Sequence, residues 1–155
     1  MSKLSDTLSA ALSHEFRARA TDLHQWADPL SDDRFWQKPF SHGNAIGHLL
    51  LHLTGNLSYY IGARIAGSGY VRDRDLEFSE SRWPSKGEVL RKFDEAIAVV
   101  LTTLDRQSDS DWTLPYSAER QPDATNRIAA FLRCVVHLDR HVGQIIYLSR
   151  ELAKN

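Results

Sequence analysis

Cysteine is nearly absent. Cys134 is the single one in 155 residues, which excludes a disulfide framework and makes a reducing, cytoplasmic setting the natural expectation. Charge of one sign is missing too. With 19 basic and 20 acidic residues the net charge is -1, and no basic surface of the kind that seeks nucleic acid is expected. No apolar run is long enough for a bilayer, because the best stretch, Ile46 to Leu53, is interrupted by Gly47, His48 and His52. The first residues carry no apolar segment of the secretory type, so neither a leader nor a membrane anchor is expected. Three catalytic signatures are also lacking: a phosphate-cradling glycine loop, a G-x-S-x-G elbow and the H-E-x-x-H of zinc proteases.

What remains is an ordinary globular composition, 42% hydrophobic and 25% charged, of a length that fits one domain over residues 1–155. Apolar residues recur every three or four positions in four long stretches. The first runs from Leu4 to about Trp26, with Ser5 or Asp6 as its cap and Asp28-Pro29 ending it. A short capped turn at Leu30–Trp36 follows. A second helix opens at Asn44, runs from Ala45 to about Ala66 and closes at Gly67-Ser-Gly69. A charged loop covers Tyr70 to Pro84. The capping pattern Ser85-x-x-Glu88 starts a third helix that ends near Asp105. Between Gln107 and Asp123 lies a polar crossing, extended or a short strand pair, with Trp112, Leu114 and Tyr116 as packing anchors. The fourth helix runs from about Thr125 to Leu152. The fold class expected is all-α, a four-helix bundle of up-down-down-up or similar order.

Chemistry concentrates in the last helix, at His137-Leu-Asp-Arg-His141-Val-Gly-Gln144. Residues four apart lie one turn apart on one side of a helix, so two imidazoles at this spacing can hold one ion. On a helical wheel both fall beside Cys134, Leu138, Ile145 and Leu148, while Arg133, Asp139, Arg140 and Arg150 take the other side. Histidines on a face that must be buried need hydrogen bonds or an ion. His52 sits on the apolar face of the second helix and can converge with them, which makes His52, His137 and His141 the candidate metal ligands. Three neutral imidazoles with an open position form a site where a divalent ion activates water or a thiol. His48, Asn56 and Gln144 are candidates to surround that site, Gln144 and Asn56 as acceptors for imidazole N–H groups. Arg74 and Asp75, with Arg72, are candidates to contact a substrate at its mouth. Cys134 reads as a small buried hydrophobe.

The segments Asn44-Ala-Ile-Gly-His48-Leu-Leu-Leu-His52-Leu-Thr-Gly-Asn56, Arg72-Asp-Arg-Asp75-Leu-Glu-Phe78 and His137-x-x-x-His141-Val-Gly-Gln144 together resemble the DinB-like superfamily, the DinB/YfiT-like metalloenzymes. The resemblance spans Trp36 to Leu148 in order. It implies a DinB/YfiT-like bundle, a histidine triad at His52, His137 and His141, nickel or zinc as the ion with iron or manganese as further candidates, and a homodimer. His48 departs from the pattern, which uses one histidine of that helix. For activity, the resemblance implies an enzyme acting on a small-molecule substrate, a transferase that uses a low-molecular-weight thiol. The alternatives are a metal-dependent hydrolase and a non-catalytic dimeric module with a structural ion.

Overall fold

The computed structural model describes residues 3–154, so both extremes of the expected domain lie outside the described residues. It is all-helical, with no strand among the described residues. The α-helices are α1 (Leu4–Ala27), α2 (Asp32–Trp36), α3 (Ile46–Leu57), α4 (Arg74–Ser79), α5 (Lys86–Asp105) and α6 (Arg127–Leu152). No helix among the described residues is long and apolar enough to cross a membrane.

Helix α1 packs on α5 and α6, and α3 packs on the same two helices. Each turns its apolar stripe inward, and the centre is filled by Phe16, Phe35, Phe93 and Phe131, all fully buried, among Leu23, Leu50, Leu53, Ile61, Leu104 and Leu138. The starts are capped much as their sequences dictate. Ser85 Oγ accepts from Glu88 N at the head of α5, and Asn126 Oδ1 accepts from Ala129 N at the head of α6. At α1 the cap differs from expectation: Lys3 holds that position, and Asp6 lies inside the helix, where its carboxylate accepts from Lys3 N.

Three departures from the sequence expectation bear on the site. The second helix does not run uniformly to Ala66; after α3 it widens into a π-helical segment, Ser58–Ala63, with bonds such as Arg64 N to Tyr59 O at 3.1 Å. Widening changes which residues face α6, and Tyr116 Oη answers it by donating to the Tyr60 carbonyl at 3.0 Å. The charged stretch 70–84 is not merely a surface loop. It contains α4, which buries Glu77, and Glu80 is buried just beyond it. The crossing before α6 forms a 3₁₀ turn, Asp111–Thr113, and one isolated bridge from Pro115 to Asn126; Trp112 and Tyr116 are buried there, while Leu114 is exposed.

Around α2, the Trp36 ring lies flat over Gly47, where any Cβ would meet ring atoms at 2.5 Å. Its Nε1 donates to Pro84 O at 3.0 Å, which ties the segment leading into α5 to α3.

Candidate metal centre

Helix α3 presents His52 toward α6, and α6 presents His137 and His141 from successive turns. The Nε2 of His137 lies 3.1 Å from the Nε2 of His52 and 3.1 Å from that of His141. Three imidazole nitrogens thus fall within 4.8 Å of one another. Nitrogens about 2.0–2.1 Å from one tetrahedral ion stand roughly 3.3 Å apart, so the spacing suits a shared cation.

Protonation supports the fit. His52 Nδ1 faces Glu77 Oε2 at 2.8 Å. A carboxylate only accepts, so Nδ1 carries the proton and Nε2 keeps its lone pair. His141 Nδ1 meets Gln144 Oε1 at 2.6 Å, which fixes its tautomer in the same sense. Two lone pairs therefore point at His137 Nε2, and one ring proton there could satisfy only one of them. A cation satisfies all three. His137 Nδ1 is buried without a hydrogen-bond partner among the described residues, so its ring orientation comes from packing.

Glu77 is itself held. Arg72 Nε donates to its Oε1 at 2.6 Å and Arg72 Nη2 to its Oε2 at 2.8 Å, a bidentate pair with both side chains under 10% exposed. Burial works against the Arg72 charge, but the Glu77 hydrogen bonds and charge outweigh it and hold the guanidinium above its ordinary range. Glu77 fits because α3 has no side chain at Gly55, where a Cβ would overlap the Glu77 Oε1. Phe78 covers the other side of His52, ring centroids 4.8 Å apart.

Burial pushes His137 down to about 3, assisted by the neighbouring His141 and His52 charges, and pushes His141 down for the same leading reason. Burial thus favours the neutral form of His137 and of His141, the form that can hold an ion. For the metal-free chain the sign follows directly. An unfolded histidine takes up a proton near 6.5 while folded His137 does not, so stability is present above that pH and is lost as pH falls from about 6.5 toward 3. Urea unfolding of metal-free protein should give a lower free energy at pH 5 than at pH 7, and His137→Gln should flatten the difference; an unchanged slope in that variant would count against the assignment.

His24 titrates the opposite way. Desolvation lowers its pKa, but hydrogen bonds to Asp94 at 2.7 Å and Asp28 at 3.0 Å win and raise it. Through Asp94 it braces α1 against α5.

Of the other residues singled out in the sequence, Gln144 touches His141. Asn56 is buried one turn after His52, and its Oδ1 has no hydrogen-bond partner among the described residues. His48 turns elsewhere: its Nε2 donates to Glu80 O at 3.1 Å and its ring meets the Trp36 edge. Arg74 and Asp75 line a hollow beside the centre, with Arg74 5.3 Å from the Phe78 ring. Cys134 is fully buried, and burial pushes its thiol up to about 12. Glu77 was missed in the sequence. The available signal was Gly55, a glycine inside a helix three residues after a candidate ligand.

A family model described as "Protein of unknown function (DUF1572)" matches residues 5–155. The chain belongs to that family. No curated protein matches it. The description of DUF1572 names no activity, and the match takes in all three histidines together with Arg72, Glu77 and Gln144.

Proposed function

We propose that this DUF1572 chain is a metal-dependent enzyme of the DinB-like superfamily, a four-helix bundle whose His52, His137 and His141 hold one divalent ion, nickel or zinc first. The observation that carries the reading is the meeting of three Nε2 atoms, two of them stripped of protons by Glu77 and Gln144. When bound, such an ion supplies Lewis-acid activation to a thiol or to water.

The chain's own residues do the rest. Glu77 and Gln144 hold the Nδ1 protons and orient two rings, and Arg72 holds Glu77. His137 and His141 are only half-buried and Gln144 is exposed, which supports a site that a small molecule can enter. The one cysteine is sealed in the core with its thiol far above neutrality, so it is no nucleophile at pH 7. A thiol used in transfer must arrive on a separate small molecule, and we favour that reaction over hydrolysis. Exposed Leu132, Val136 and Tyr147 along α6 support a homodimer.

Cobalt-loaded protein tests the open position. Titration with glutathione or cysteine should shift the visible spectrum of the ion, and the shift should vanish in His137→Ala. An unmoved spectrum with every thiol, with azide and with a carbonyl substrate would remove the enzyme reading.

A further inference from the structure

We propose that the hollow beside the metal centre is a binding site for a zwitterionic small molecule, of the amino-acid or short-peptide class, with a planar or apolar body. The hollow has a volume of about 620 Å³ and is walled by Tyr59, Tyr60 and Tyr70. That size is in the range of small-molecule sites, and aromatic faces with a few polar groups are their usual lining.

Charge decides the ligand class. Arginines 72, 74 and 120 and acids 73, 75 and 119 line the hollow, a balance that favours neither a plain anion nor a plain cation. Most of these charges are already committed. Arg72 is spent on Glu77, Asp73 caps α4 by accepting from Leu76 N at 3.0 Å, and Arg120 pairs with its neighbour Glu119 at 3.6 Å. Arg74 and Asp75 are left without an ion pair among the described residues. Arg74 is set in place by Phe78 rather than by an acid, so its donors stay free for a carboxylate. Asp75 offers the complementary acceptor for an ammonium group. A molecule with only one charge would leave the other rim residue facing a like charge or nothing. The tyrosine walls then take its body.

The site adjoins the triad through Arg72, which lines the hollow and whose Nη2 lies 3.2 Å from His52 Nδ1. Binding in the hollow does not require an ion on the histidines, so this inference goes beyond the metal reading and can fail separately from it.

Calorimetric titration of the metal-free full chain tests it with four probes that share one benzyl body: L-phenylalanine and glycyl-phenylalanine as zwitterions, N-acetyl-phenylalanine as anion and phenylalanine amide as cation. The zwitterions should bind, and each single-charge probe should be weaker by about tenfold, the worth of one charge-assisted bond. Arg74→Gln and Asp75→Asn should each weaken zwitterion binding by about the same factor while leaving the melting temperature unchanged, because both side chains are exposed. Equal binding of all four probes, binding of one single-charge probe alone, no heat from either zwitterion at millimolar concentration, or variants that bind as the wild type would each overturn it.

Discussion

Replacing Glu77 by alanine should cost the protein about 3–5 kcal/mol of stability and lower its affinity for a divalent ion by roughly 10–100-fold. The first effect arises at Arg72. Its guanidinium is buried and bidentate on Glu77, and the variant leaves that charge without a partner while its desolvation cost remains. The second effect arises at His52, whose Nδ1 proton loses its acceptor, so the ring is free to rotate or to move its proton to Nε2. Glu77→Gln separates the two effects. An amide oxygen can still accept from His52, so metal affinity should fall less, while the ion pair with Arg72 is lost in full. Denaturant unfolding and competitive metal titration of both variants check the claim, and a variant as stable as wild type would show that Arg72 finds water or another partner at no cost.

His137→Ala should behave in the opposite way: metal affinity falls by more than about 100-fold while the metal-free chain keeps its stability or gains some. The affinity loss follows because His137 Nε2 is the shared vertex, 3.1 Å from the Nε2 of His52 and of His141. The stability result follows because this imidazole is a liability without an ion. Its Nδ1 is buried without a hydrogen-bond partner among the described residues, and two lone pairs face its Nε2. Functional sites are often paid for in stability in this way. Melting curves with and without chelator measure both quantities. If metal-free His137→Ala melts several degrees below the wild type, the residue is a packing element and the strain reading is wrong.

The triad was legible in the sequence because its logic is local on each helix. Two of its histidines sit at i and i+4 of one amphipathic stretch, and periodicity put His52 on an inward face of another. Long helices could be read for the same reason: Leu4 to Ala27 and Lys86 to Asp105 repeat their apolar residues without interruption. What could not be read depends on how distant pieces meet. Glu77 sits in a stretch of alternating charges that looks solvated, and only the notch at Gly55 and the arginine two residues before α4 make its burial affordable. The π-helical segment Ser58–Ala63 has no local signature either, since it is stabilised from outside by the Tyr116 hydroxyl on a carbonyl it frees. For His48 and His52, four residues apart on one helix, periodicity alone did not choose between them. The choice is made by Trp36 and the Glu80 carbonyl, which claim His48.

Gly55→Ala probes the same notch with a change of one methyl group. It adds no charge and touches no ligand, yet its Cβ would overlap the Glu77 carboxylate.

X-ray absorption of protein loaded with one equivalent of nickel or zinc tests the metal centre most directly, with metal content measured on the same sample. One tightly held ion per chain, with three imidazoles in its first shell and a remaining position that glutathione or azide replaces, is the result predicted. A chain that takes up no ion, or an ion ringed by carboxylates with its spectrum unchanged in His52→Ala and His137→Ala, would contradict it.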